Sequence, residues 1–293
     1  MIRGVFKGKA LRLPPFRFRK RQLFLVLPLG LLAAAGVFFV RRPVVFVTGE
    51  AYTSLYGSGR AFYMTAKASL GAFRRIITVN PPEEADASLV LLAAEGAAEA
   101  PFCVIFPYRC RQTASSYSER RPETPVFLLM GRSRETPALP AGVFLVRTDI
   151  IDEMTRAGAE AGALAGKEGA VIVIDNNWLR DPERAVFLAA LKAAGAEKEP
   201  QYFRSPDGAH SCACAVITGP IGNFLDQNQG VPVILFSWLN PGFVSDEVKV
   251  IVDDSPWAQL SGLLKAPLPS EAPPQELTLR STVLRRGGIA DFR

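Results

Sequence analysis

The chain has 293 residues, with 34 Lys and Arg against 28 Asp and Glu, one His and four Cys. Ten of the basic residues and none of the acidic ones fall within residues 1–42, so residues 43–293 hold 24 basic against 28 acidic groups and are mildly acidic. The basic surplus therefore gives no case for nucleic-acid binding, four Cys are too few for a disulfide-built scaffold, and a lone His leaves His210-x-Cys212-x-Cys214 without the second ligand pair of a zinc site.

Residues 1–22 are a basic segment, and residues 23–40, LFLVLPLGLLAAAGVFFV, carry no charge. About 20 residues at roughly 1.5 Å rise cross a hydrocarbon core of about 30 Å, so this run predicts a transmembrane anchor. Positive residues stay on the cytoplasmic side. The expected protein is a single-pass component of the cell inner membrane, with its N-terminus cytoplasmic and its main domain periplasmic or otherwise extracytoplasmic. Ala33-Ala34-Ala35 offers small residues to a signal peptidase. The apolar run continues to Val40 and ends on Arg41-Arg42, which favours an uncleaved anchor over a cleaved leader.

From Pro43 onward, apolar β-rich runs alternate with helical stretches. Val44–Thr48 predicts a buried parallel strand, about Gly57 to Phe73 a helix, and Arg75–Val79 a second strand stopped by Asn80-Pro81-Pro82. Further strands are predicted at Ser88–Leu92, Phe102–Phe106, Pro125–Met130 and Val143–Arg147. Asp149 to Lys167 is a helix whose Ala157, Gly158, Ala161, Gly162, Ala165 and Gly166 allow close packing, with Thr148 or Asp149 as cap. Gly169–Asp175 is a strand, and Asp181-Pro182 opens a helix to Ala194, with Asp181 as cap and Pro182 in the first turn. Strands at Ala213–Thr218, Val231–Phe236 and Val248–Val252 complete a second set. A Pro-rich connector at Pro267–Pro274 then leads to an edge strand at Glu276–Leu284. Cys103 and Cys110 are placed to close a short loop, whereas Cys212 and Cys214, at i and i+2, face one way and are poorly set to bond each other.

This alternation predicts an α/β fold with right-handed crossovers and largely parallel sheets. Two Rossmann-like lobes are expected after the anchor: residues 43–146, with 243–293 as the expected completion, and residues 147–242. Ligands of such folds sit at the carboxyl ends of strands, and two lobes can close around them.

Residues 143–265 also resemble a known superfamily. The order of elements in VFLVRTDIIDEMTRAGAEAGALAGKEGAVIVIDNNWLRDPERAVFLAALKAAG, then VPVILFSW and VKVIVDDSPWAQL, is similar to that of type I periplasmic-binding-protein-like chains. These are solute-binding proteins of the sugar and nucleoside type and lac-repressor-like effector domains. The resemblance implies a two-lobed fold that captures a small polar solute, and no DNA-binding helix-turn-helix precedes it here. The chain departs from that pattern at two pocket positions. An Asn-Asp pair is replaced by Gly219-Pro220, and the pocket arginine aligns with Glu183, with Arg180 and Arg184 displaced.

Ligand contacts are expected from aromatic and hydrogen-bonding side chains that follow strands. These are Tyr52, Ser54 and Tyr56 after the first strand, and Asn176, Asn177, Trp178 and Arg180 after Gly169–Asp175. Trp238 and Asn240 follow Val231–Phe236, and Asp253 follows Val248–Val252. Asp254 and Trp257 share the last position. No metal or cofactor is expected, and the chain lacks the nucleophile elbow, phosphate-binding lysine loop and zinc-protease motif that mark common enzymes. The expected function is a membrane-anchored, extracytoplasmic solute-binding protein for a sugar or nucleoside-like ligand, with a permease or membrane sensor as partner. The alternative is a degenerate binding fold used as an envelope structural or protein-interaction module without a small ligand.

Overall fold

The computed structural model describes residues 35–140, 142–175, 179–206, 212–219, 222–236, 245–266 and 276–285. The chain divides into two compact units, Met1–Arg41 and Arg42–Arg293. Residues 35–40 of the first are helical, with the rings of Phe38 and Phe39 edge to face at 5.5 Å. Among the described residues no helix is long and apolar enough to cross a membrane. Residues 23–34 of the expected anchor lie outside them.

The second unit is built on two six-stranded sheets. The first runs β2-β1-β3-β4-β5-β11, where β1 is Val44–Val47, β2 Ile76–Val79, β3 Cys103–Pro107, β4 Val126–Gly131, β5 Val143–Thr148 and β11 Glu276–Leu279. Every pairing in it is parallel. The second runs β7-β6-β8-β9-β10-β12, where β6 is Val171–Ile174, β7 Gln201–Phe203, β8 Cys214–Ile217, β9 Val233–Leu235, β10 Val248–Asp253 and β12 Thr282–Arg285. Only β12 is antiparallel, against β10. The central strands VVFV, CVIFP, VIVI and CAVI are buried along their whole length. Continuous apolar runs are what a parallel sheet covered on both faces demands. Each sheet accordingly separates two cores.

The helices are α1 (Glu50–Tyr56), α2 (Ser58–Ala72), α3 (Ala87–Ala97), α4 (Arg111–Arg120), α5 (Ile150–Ala165), α6 (Asp181–Ala193), α7 (Phe224–Gln227) and α8 (Pro256–Lys265). The Asp149 side chain caps α5 by accepting from the Asp152 amide. The small residues of α5 do what their pattern suggests. A Cβ at Gly158 would lie 2.4 Å from the Phe187 carbonyl, and one at Gly162 would lie 2.6 Å from the Ala194 Cβ, so α6 packs directly on the α5 backbone.

Three strand and helix assignments change. Ser88–Leu92 is the start of α3 rather than a strand, because Asp86 accepts from the Leu89 amide at 2.8 Å and launches a helix that buries Val90, Leu91 and Ala94. A short apolar run such as SLVLL carries no period that separates the two outcomes. Glu276–Leu284 breaks into β11 and β12, one in each sheet. The N-cap of α6 is Arg180, with Asp181 its first residue.

Residues 243–293 are thus shared between the lobes. The second sheet continues past residue 242 through β10 and takes β12, while α8 and β11 pack in the first lobe. The chain therefore passes between lobes three times: from β5 to α5, from β10 to α8, and from β11 to β12.

The four cysteines are free thiols. Cys103 and Cys110 pack on opposite faces of the first sheet, which keeps them from closing the loop between them. Cys212 precedes β8 and packs in the core on the other side of the second sheet from Cys214, so the two do not face one way.

Candidate functional site

The three crossings bring the carboxyl ends of β4 and β10 together with the N-terminal turn of α5. At this junction a cluster of charged groups is closed off from water. Arg132, which follows β4, sends its Nε to the Glu153 carboxylate at 2.6 Å and a terminal nitrogen to the Val252 carbonyl at 3.2 Å. The same Nε stands 3.5 Å from Asp254, and the guanidinium lies 4.9 Å from the centre of the Phe236 ring. Glu153 also accepts from the Ser281 hydroxyl on the third crossing. One arginine from the first lobe is therefore held by Glu153, Val252 and Asp254 at the first two crossings, and the third crossing reaches it only through Glu153.

Burial pushes the Asp254 carboxyl up to about 7, opposed by Arg132 and helped by the Glu153 and Asp253 carboxylates. Burial works against the Arg132 guanidinium, but Asp254 and Glu153 outweigh it and hold the arginine above its ordinary range. An unpaired charge in such a place is strongly destabilising, and a mutually satisfied set is tolerated.

Beside this cluster Tyr56, at the end of α1, donates its hydroxyl to Asp253 at 2.8 Å. The ring stacks on Trp257 with centroids 4.6 Å apart and planes 12° from parallel, and the Arg60 guanidinium covers it at 4.7 Å. Burial and the Asp253 charge both push the Tyr56 hydroxyl well above its ordinary value. The other oxygen of Asp253 accepts from the Ser255 amide at 2.9 Å.

Of the residues expected from sequence, Tyr56 and Asp253 are brought together in this way, and both are buried. Tyr52 is half-buried 5.0 Å from the Arg109 guanidinium, and its hydroxyl is pushed up by burial against the pull of that arginine. Arg109 in turn donates to the Thr48 carbonyl at 3.1 Å. Gly49, with φ of 130°, makes room for it, since a Cβ there would sit 1.4 Å from the Arg109 Nη2. Ser54 is exposed on α1. Arg180 is exposed, and its amide donates to Glu183. Asn176, Asn177, Trp178, Trp238 and Asn240 lie outside the described residues.

Other polar groups cluster at strand ends without having been singled out from sequence. Arg134 pairs with Glu183 of α6, joining the two lobes a second time. Asp175, directly after β6, accepts from the Leu179 amide and from Arg184 at 2.9 Å, and Arg184 covers the Tyr202 ring at 4.8 Å. A cavity of about 280 Å³ opens beside the junction, lined by Arg132, Arg134, Thr136, Arg147, Thr148 and Glu276 among others. Arg132 and Arg134 obey the rule that pointed to Tyr52 and Asp253, since both follow a buried strand. Among the described residues no group of His, Cys, Asp and Glu is placed to hold a metal ion.

No family model matches the chain, and no curated protein matches it. Solved structures do. An ABC transporter solute-binding protein from Conexibacter woesei superposes with a TM-score of 0.51 at 16% identity, covering 83% of this chain and 87% of its own. A transcriptional activator of the comK gene from Bacillus halodurans superposes with a TM-score of 0.52 at 9% identity, covering 85% and 92%. The arabinose-binding protein AraP from Geobacillus stearothermophilus gives 0.50 at 15% identity, covering 84% and 97%. The shared architecture is two parallel sheets joined by crossing segments. This is the type I periplasmic-binding-protein fold.

Proposed function

We propose that residues 43–293 capture a small polar solute of the sugar class between the two lobes, and that residues 23–40 hold this binder in the inner membrane facing away from the cytoplasm. The observation that carries the reading is the cavity of about 280 Å³ beside the junction, where Arg134, Thr136, Arg147 and Glu276 line one opening. Carboxylates and guanidinium groups hydrogen-bond sugar hydroxyls, and rings such as Tyr52 stack on the apolar face of a pyranose. Structural neighbours that bind solutes, AraP among them, support the same choice. A binder held in the bilayer acts locally, so its solute passes to a permease or a membrane sensor in the same membrane.

The test is calorimetric titration and thermal melting of the full chain in nanodiscs against a panel of pentoses, hexoses and nucleosides. A solute at 100 times its Kd stabilises the bound state by about 2.7 kcal/mol. For a domain of this size that raises the melting temperature by about 5–11 °C. Silence across the panel, in both heat and melting temperature, refutes solute capture.

A further inference from the structure

The outer face of α2 carries large, exposed apolar side chains. Ala61, Met64 and Ala68 turn inward to the first core, whereas Phe62 is 77% exposed and Leu70 72% exposed. Tyr63 and Phe73 are exposed as well. Phe62, Ala66 and Leu70 follow one another at helical spacing with Tyr63 beside Phe62, so they form a stripe along the helix. Scattered exposed apolar residues need no explanation, but a stripe of this kind marks an interaction surface.

Charge selects the partner. Between Glu50 and Glu83 the chain has no acidic residue, and it has Arg60, Lys67, Arg74 and Arg75. Lys67 and Arg75 are exposed beside the stripe, and the Lys67 ammonium lies 6.0 Å from the Tyr63 ring centre. The neighbouring helix α3 also exposes two leucines, Leu89 and Leu92. Its surroundings are the reverse: Glu83, Glu84, Asp86, Glu95 and Glu99, with no Lys or Arg between residues 76 and 108. An anionic surface would accept α2 and reject α3.

The length of chain before the domain narrows the choice further. Arg74 donates to the Arg42 carbonyl at 3.2 Å, so the chain enters the first lobe beside the C-terminal end of α2. The uncharged run ends at Val40 and β1 begins at Val44. Those four steps reach at most about 14 Å, little more than the thickness of one helix with its side chains. On the anchor proposed above, so short a connection keeps the point where the chain enters the domain near the bilayer surface.

We propose that the face of α2 bearing Phe62, Tyr63 and Leu70, with Lys67 and Arg75, rests in the interfacial layer of an anionic bilayer. Basic residues flanking an apolar helical stripe are the composition of interfacial helices, whose apolar side chains sink into the headgroup boundary while lysine and arginine meet lipid phosphate. The inference rests on the anchor proposed above.

The test uses the full chain in vesicles of phosphatidylcholine and phosphatidylglycerol that contain a photoactivatable phospholipid, with labelled peptides mapped by mass spectrometry. Lipid labels are expected both in residues 23–40 and in residues 58–73. Phe62→Ser with Leu70→Ser, two exposed positions that leave the core intact, should cut labelling of 58–73 by roughly tenfold, because the apolar area that partitions is gone, and should leave labelling of 23–40 unchanged. Lys67→Glu with Arg75→Glu should weaken the 58–73 label in these vesicles but not in pure phosphatidylcholine. Labels on 23–40 alone overturn the docking of α2 and leave the anchor standing. Labels on neither segment overturn both. A Lys67–Lys67 cross-link between two chains, without lipid labels on 58–73, assigns the face to a second copy and overturns the proposal.

Discussion

Tyr56→Phe removes one oxygen atom from the lobe junction and little else. The ring keeps its place against Trp257, at 4.6 Å and 12°, and Phe46 still meets Trp257 edge to face at 6.1 Å. What disappears is the 2.8 Å hydrogen bond to the buried Asp253. Hydrogen bonds to charged groups are worth about 1.5–3 kcal/mol, and here the acceptor cannot turn to water for a replacement. Asp253 keeps the Ser255 amide on its other oxygen, which limits the loss to that range. At about 2–4 °C per kcal/mol for a domain of this size, the melting temperature should fall by about 3–12 °C. Differential scanning calorimetry of the full chain reads this directly. Because Tyr56 belongs to the first lobe and Asp253 ends a strand of the second sheet, hydrogen exchange in β10 should rise together with the loss. A cycle with Asp253→Asn isolates the pair, and its coupling should reach about 1 kcal/mol or more for groups in direct contact. If Tyr56→Phe melts like the parent protein, or the two substitutions are additive, the bond contributes nothing and the account of the junction is wrong.

Arg132→Met fills much of the same volume and abandons Glu153, Asp254 and the Val252 carbonyl. Breaking a buried ion pair by removing one partner costs about 3–5 kcal/mol, so the denaturation midpoint should drop steeply, and an unchanged midpoint would show that the cluster is solvated. Asp254 makes stability depend on pH. Its folded value of about 7 lies above the ordinary 3.8, so between those limits the folded state binds more protons than the unfolded one. Stability should therefore fall as pH rises from about 4 to about 7 through this group. Denaturation curves of Asp254→Asn across that window should lack this component, and a slope identical to that of the parent protein would locate the titration elsewhere.

Much of the fold was legible because parallel strands covered on both faces must be apolar throughout. VVFV, VFLLM and VIVI have no other economical reading in a water-soluble α/β domain. SLVLL deceived for the same reason, since a short apolar run fits either a strand or the buried side of a helix. The cap at Asp86 that decides it lies outside the run. The division of Glu276–Leu284 between two sheets was not readable, because the break at Arg280-Ser281 is set by the separation of the lobes rather than by local preference. The site shows the same contrast. Position after a strand pointed to Tyr56 and Asp253 as ligand contacts, and the structure instead buries both and bonds them to each other. The partnership of Arg132 with Glu153 was invisible, because the two are 21 residues apart and only the turn from β5 into α5 brings them together.

On the proposed reading, the charges at this junction have a use in a two-lobed binder. If the lobes met through an apolar seam, each opening would expose hydrocarbon to water, and the closed form would dominate with or without solute. Arg132, Arg134, Glu153, Glu183 and Asp254 change that balance. Burying ion pairs brings little net stability, because their attraction is offset by the water they lose. On opening, the lost attraction is offset by regained hydration. The two forms then differ by little, and a solute with a modest preference for the closed one can shift the population. The Arg134–Glu183 pair is a direct link of this kind between the lobes, and its side chains are the more exposed, at 28% and 10% against 10% and 0% for Arg132 and Glu153. On the proposed reading, closure around a solute should involve the more exposed Arg134–Glu183 pair before the deeper Arg132–Glu153 pair.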